Sequence, residues 1–226
     1  MEIVLCIALA AIIPYFLCGI NSAIIVTKIK SGKDIRELGS GNAGLTNTLR
    51  TQGKAAALFV LIGDILKGVL SIIIIHLLFR YIAGIDTYSH TDGWTWINYM
   101  AGITGVLGHV FPVYYGFKGG KGILVTFAAM LAINWIAGVA PFIVFVIVVA
   151  ISRYVSLGSI IAAAFYPFAV LVLSIIQNDP CAWMNFGLSA IIGAMLIFMH
   201  RANIHRLITH TEKKLGQKSE ENEAAK

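Results

Sequence analysis

Residues 39–79 read GSGNAGLTNTLRTQGKAAALFVLIGDILKGVLSIIIIHLLF, a glycine-rich polar segment that runs straight into a long apolar one. The apolar part, residues 55–79, has the length of about 17–25 residues that crosses a hydrocarbon core of roughly 30 Å. Within it only Asp64, Lys67, Ser71 and His76 carry polar side chains. A charged pair inside a span is expensive and normally faces the bundle interior. The spacing of Asp64 and Lys67 therefore points first to an ion pair that fixes helix orientation, with a catalytic role as the second reading.

The same alternation extends in both directions. Apolar runs occupy 3–25, where Pro14 predicts a kink, and then 96–111, 159–176 and 185–199. The run 123–151 is too long for one span, and the break across 134–141 divides it into two shorter helices joined by a tight turn. Polar stretches at 86–92, 118–122 and 152–158 separate the runs. The pattern predicts an all-α polytopic membrane protein of about seven transmembrane helices. Residues 1–207 form one membrane-embedded domain. The polar tail 208–226, ending in SEENEAAK, has too little apolar content to pack and is expected to be flexible.

Composition agrees. The chain is 58% hydrophobic and 12% charged, against about a quarter charged in soluble domains, and its mean hydropathy is +0.82. Cys6, Cys18 and Cys181 form no C-x-x-C pair and no Cys/His cluster, so they read as small hydrophobes. The first segment lacks a basic n-region and a small-residue cleavage site, which predicts a retained span. No repeat of fixed period is visible.

Charge orients the bundle. With the N-terminus outside, the loops 26–54, 112–122 and 152–158 and the C-terminal tail fall on one side and carry fifteen of the 17 cations. The positive-inside rule makes that side, and the C-terminus, cytoplasmic. The net charge of +6 thus marks a membrane face and no nucleic-acid partner.

Four polar patches gather on that face. In the first, Gly39, Gly41 and Gly44 let backbone N–H groups turn toward an anion. Ser40, Asn42, Thr46 and Asn47 can add donors, and Arg50 suits phosphate oxygens in bidentate fashion. A flexible linker with an ordinary positive-inside arginine is the other reading. The second patch is GHVFPVYYGFKGGKG, residues 108–122, where Lys118 and Lys121 flank Gly119 and Gly120. It is no Walker loop, because Tyr115 and Gly122 stand where that motif needs a glycine and a hydroxyl. Its lysines suit either phosphate or snorkelling at a span end, beside the interface aromatics Tyr114 and Tyr115. His109 alone reads more simply as a satisfied interface histidine.

The third patch, RYVSLGS at 153–159, is by itself a helix start capped by Ser156 or Ser159. The fourth, HRANIHR at 200–206, places His200 and Asn203 on one helical face at i, i+3. A juxtamembrane basic helix touching anionic lipid fits it equally.

Together the segments GSGNAGLTNTLR (39–50), GHVFPVYYGFKGGKG (108–122), RYVSLGSI (153–160) and HRANIHRL (200–207) resemble the bacterial acyl-phosphate:glycerol-3-phosphate acyltransferase family, in order and over the chain up to the tail. One departure is visible: that family's first motif usually reads G-N-P-G-A-T-N, and here Ala43 and Leu45 replace the proline and the alanine. The resemblance implies acyl transfer from acyl phosphate to the 1-hydroxyl of glycerol 3-phosphate, giving lysophosphatidic acid and inorganic phosphate in phospholipid synthesis. It implies catalytic roles for Ser40, Arg50, Lys121, His200 and Asn203. Phosphate would be bound by Gly41, Asn42, Gly44, Thr46, Asn47, Lys118, Gly119, Gly120 and Ser156. It places the enzyme in the bacterial inner (cell) membrane, with its site on the cytoplasmic side, membrane lipid around it, and a soluble enzyme that makes acyl phosphate as a partner.

None of the six histidines is followed five positions on by an acidic residue, so the H-x-x-x-x-D dyad of other glycerolipid acyltransferases is missing. Acyl phosphate is already activated, and cations that stabilise its leaving group supply the main catalytic effect. No metal-ligand spacing is present, so transfer is expected to need no cofactor. A phosphate transporter and a non-catalytic lipid-binding scaffold are the rivals from other classes. Transporters commonly show repeats and midplane helix breaks, whereas here the polar sequence collects at one face.

Overall fold

A computed structural model describes residues 1–217, and among them every regular element is helical. Helix α1 (Glu2–Gly19) is interrupted at Ile20 and Asn21. The Asn21 side chain then caps α2 (Ser22–Ser31), accepting from the Ile24 amide at 3.1 Å. Pro14 lies within α1, so the interruption falls six residues later than the proline. The glycine-rich segment leads into a short helix, α3 (Leu45–Gln52). Gly53, at φ 83°, turns the chain into α4 (Lys54–Leu78). There follow α5 (Trp96–Val110), α6 (Ile123–Ile133), α7 (Trp135–Ser152), α8 (Val155–Ile176), α9 (Ala182–Met199) and α10 (Arg201–Ile208).

Among the described residues five helical stretches are long and apolar enough to cross a membrane: Glu2–Ser31, Lys54–Ala83, Trp135–Ser152, Val155–Ile176 and Ala182–Met199. The other two expected spans are shorter. At 15 and 11 residues, and about 1.5 Å per residue, α5 and α6 fall short of a core of roughly 30 Å. Many outward-facing side chains, among them Phe59, Leu66, Ile147 and Val172, are large and apolar, as lipid contact requires. Inside, Val106, Tyr166, Ile192 and Leu196 join α5, α8 and α9, while Ile72, Ile75, Phe79 and Ile97 join α4 to α5. Helices close up where a side chain is missing. A β-carbon at Gly108 would overlap the Tyr15 carbonyl, and one at Gly68 would sit 2.7 Å from the Val125 carbonyl. Small residues at such crossings are how membrane helices pack.

Several boundaries are sharper than the sequence suggests. The break across 134–141 narrows to Asn134, whose side-chain oxygen accepts from the Ile136 and Ala137 amides at 3.2 and 3.4 Å, while Pro141 sits inside α7. The polar loop 152–158 shrinks to Arg153 and Tyr154, with Arg153 in the left-handed region at φ 62°. Neither Ser156 nor Ser159 caps α8; Ser159 donates to the Val155 carbonyl instead. Residues 209–217, expected to fray, fold back onto the α7–α8 turn. There the Leu215 amide donates to the Arg153 carbonyl at 2.7 Å, and Lys214 lies over the Tyr154 ring. The remainder of the expected flexible tail, 218–226, lies outside the described residues.

Candidate active site

The chain segments that carry the four polar patches meet at one end of the bundle. Residues 111–120 form a tight reversal after α5: the Phe117 amide donates to the Pro112 carbonyl, Gly119 to Val110, and Gly120 to His109. This folds Lys118 to Lys121 back over the helix end. The reversal is held from outside by Arg36, whose guanidinium donates to the Tyr115 and Lys118 carbonyls at 2.8 and 3.2 Å and forks onto Asp34. Asp34, Arg36, Gly41, Lys118 and Gly119 line one cavity of about 560 Å³. The two glycine-bearing segments expected to hold phosphate therefore share a wall.

Beside this cavity lies a denser polar cluster. Lys121 donates its ammonium to Asn203 Oδ1. Asn203 in turn donates to Glu212 Oε1 at 2.7 Å, and Ser156 Oγ donates to the same oxygen at 2.7 Å. Arg206 donates to Glu212 Oε2 at 2.6 Å. Ser156, Asn203 and His200 are all buried. Because α10 starts directly after His200, His200 and Asn203 keep the i, i+3 relation that the sequence predicts. His200 donates from Nδ1 to the Leu196 carbonyl at 2.8 Å, which fixes its tautomer and leaves Nε2 as the free acceptor.

Burial dominates the electrostatics. It pushes Lys121 down to about 8, helped by nearby Arg206. It also pushes His200 down to about 4, against the opposing Leu196 bond. At neutral pH this imidazole is uncharged and a weak base. Burial alone would raise the Glu212 carboxyl. The donors from Ser156, Asn203 and Arg206 outweigh it and hold the group below the usual carboxylate range.

The glycine-rich segment divides into two sets. Asn47, expected among the phosphate donors, is buried and its amide is committed to backbone. Oδ1 accepts from the Ser40 amide at 3.0 Å, and Nδ2 donates to the Leu38 and Ile35 carbonyls at 2.9 and 3.3 Å. It shapes the loop. Ser40, Gly41 and Thr46 are exposed, and Asn42 and Gly44 are partly so. Arg50 is exposed and joins none of the ion pairs among the described residues. Among the described residues no hydrogen bond joins the side chains of Ser40 or Arg50 to the Lys121 cluster, and both residues are exposed.

Sequence reasoning missed Glu212, Arg36 and Arg206. Glu212 was hidden in a segment read as tail; its one signal is that it stands alone as an acid between residues 200 and 217. A second cavity, of about 540 Å³, lies at the opposite end among residues such as Tyr99, Trp135 and Asp179. No lysine or arginine lines it, so it is poorly suited to a phosphate.

A profile of the family described as glycerol-3-phosphate acyltransferase matches residues 8–210. A glycerol-3-phosphate acyltransferase of Trichormus variabilis is 41% identical over 211 residues, covering 92% of this chain and 91% of its own length. One of Clostridioides difficile is 40% identical over 210 residues, covering 93% and 96%. Among solved structures, PlsY (YgiH), an integral membrane glycerol 3-phosphate acyltransferase, is similar in its glycerol 3-phosphate form with a TM-score of 0.75. That match is 32% identical and covers 93% of this chain and 96% of that one. Its lysophosphatidic acid form gives 0.72 at 30% identity, covering 93% and 95%.

Proposed function

Because this chain belongs to the glycerol-3-phosphate acyltransferase family, we propose that its acyl donor is acyl phosphate and its product lysophosphatidic acid. The hydroxyl oxygen of glycerol 3-phosphate attacks the acyl carbonyl carbon, and the bond from that carbon to the phosphate oxygen breaks. Inorganic phosphate leaves, and the hydroxyl proton passes to a substrate phosphate oxygen. The observation that carries this reading is the junction of Lys121, Asn203 and Ser156 through Glu212, from three segments far apart in sequence. It gathers Lys121 with two side chains that Glu212 orients, two residues along the chain from Gly119, which lines a cavity together with Gly41 and Lys118.

The donor follows from the chemistry. His200 leans on a backbone carbonyl, where a base dyad would have a carboxylate, and burial makes it a weak base. A donor with a good leaving group needs charge stabilisation more than it needs a strong base. Arg50, Ser40, Lys118 and Lys121 would bind the two phosphates, with the backbone of Gly41, Gly44, Gly119 and Gly120 and the donors Asn42, Thr46 and Ser156. His200 and Asn203 would orient them. Holding both substrates at one mouth supplies the rest.

The excess of cations at this end favours a cytoplasmic site in a bacterial inner membrane. With α5 and α6 counted, the spans number seven and the N-terminus lies outside. A soluble enzyme that makes acyl phosphate would then deliver the donor from the cytoplasm. Purified protein in detergent, given acyl phosphate and glycerol 3-phosphate, should release phosphate and lysophosphatidic acid in equal amounts. Transfer from an acyl thioester at a similar rate would overturn the donor assignment.

A further inference from the structure

The charged pair inside α4 reaches further than helix orientation requires. Lys67 Nζ lies 2.9 Å from Asp64 Oδ1, donates to the Ile20 carbonyl at 2.8 Å, and lies 3.0 Å from His109 Nδ1. An ammonium donates and cannot accept; this one donates to Ile20 and faces His109 Nδ1, while Asp64 holds it as an ion pair without a hydrogen bond to Oδ1. His109 Nδ1 is therefore an acceptor, and the ring carries its proton on Nε2. Asp64, Lys67 and His109 are all nearly inaccessible, at 2%, 5% and 3% exposed.

The far edge of that ring is where the two glycine-bearing segments meet. A β-carbon on Gly120 would collide with His109 Nε2 and would sit 2.5 Å from the Ala43 carbonyl. Gly120 is thus pressed between the His109 ring and the loop that precedes α3. The same Ala43 carbonyl accepts from Asn21 Nδ2 at 3.3 Å, one residue from the Ile20 carbonyl that Lys67 holds. The interruption between α1 and α2, the ion pair in α4 and the end of α5 are joined at one point under both loops.

We propose that Asp64, Lys67 and His109 are positioning residues for substrate phosphate: the ammonium fixes the ring, and the ring fixes the meeting of residues 43–44 with residues 119–121. This rests on the function proposed above and adds to it a set of residues that touch no substrate. Misplacement by about 1 Å can cost on the order of 100-fold in rate; here the displaced groups are those that would bind a phosphate away from the reacting carbonyl, so the loss should fall on affinity.

The test uses His109→Ala and the double variant Asp64→Leu/Lys67→Met. The double variant leaves no unpaired buried charge, the condition under which such replacements are tolerated, so it carries the test if His109→Ala does not fold. Both variants should raise KM for glycerol 3-phosphate about tenfold or more while kcat stays within about threefold, the split expected when binding rather than chemistry is lost. A folded variant whose KM is unchanged, or whose kcat falls well beyond threefold together with stability, overturns the proposal. Calorimetric titration of glycerol 3-phosphate alone gives the same comparison without an acyl donor. If the wild type binds glycerol 3-phosphate but does not use acyl phosphate, the donor reading fails and the titration still decides the triad. If the wild type binds no glycerol 3-phosphate, both fail.

Discussion

At the scale of single residues, exposure separates groups that hold the fold from groups that await substrate. Arg50 is exposed and joins none of the ion pairs among the described residues, so the fold asks little of it. Changing Arg50 to Ala should leave thermal unfolding in detergent within a degree or two yet cut transfer on the order of 100-fold, the usual cost of removing one donor to developing charge. An unfolding shift without loss of rate would give Arg50 a structural role instead. Lys121 makes a pH prediction. Its ammonium is held at about 8, below its ordinary 10.5, so the cation is lost as pH rises through about 8 and transfer should fall there. Between those two values the unfolded chain binds the extra proton, so this lysine makes stability rise with pH. The loss of activity is therefore not unfolding. In Lys121→Arg, which stays charged, the decline should move to higher pH, and a decline left in place would assign it to another group. His200, held at about 4, should contribute no inflection between pH 5 and 8.

At the scale of elements, the legible features were those set by local chemistry. The apolar runs, the glycine-rich interruption before α4 and the helical pairing of His200 with Asn203 all follow from spacing that a single segment carries. What could not be read were the long-range hydrogen bonds. Asn47 looks like a phosphate donor until the carbonyls of Ile35 and Leu38 are seen around it. Glu212 looks like tail until Ser156 reaches it from 56 residues away. Nothing local announces either partnership. Asn134 lies between the two cases, since its place in a break was visible and its role as a cap was not. Its side chain satisfies the first amides of α7, at the end of the bundle opposite the site. Asn134→Ala should therefore destabilise the protein by about 1 kcal/mol with KM for glycerol 3-phosphate unchanged. Thermal unfolding and steady-state kinetics on one preparation would show it, and a raised KM would mean that this turn is coupled to the distant cavity.

At the scale of the whole molecule, charge asymmetry and packing agree on which end is which. Arg36, Arg206, Lys118 and Lys121 line or surround the site end, whereas Arg80, His90, Asp86 and Asp179 mark the other. Moving Lys or Arg across a bilayer is costly during insertion, so the site end should face the cytoplasm. Single cysteines test this. Cys6 and Cys18 are buried and silent, and Cys181 is partly accessible, so Cys181→Ser provides the background. Asp92 and Lys33 are both exposed and sit in connections at opposite ends. In intact cells a membrane-impermeant maleimide should label Asp92→Cys and spare Lys33→Cys until the membrane is opened. The reverse pattern would invert the bundle and put both substrates outside. Labelling of both in intact cells would mean that α4, which lies between them, does not carry the chain across the bilayer, and the span count would have to change with it.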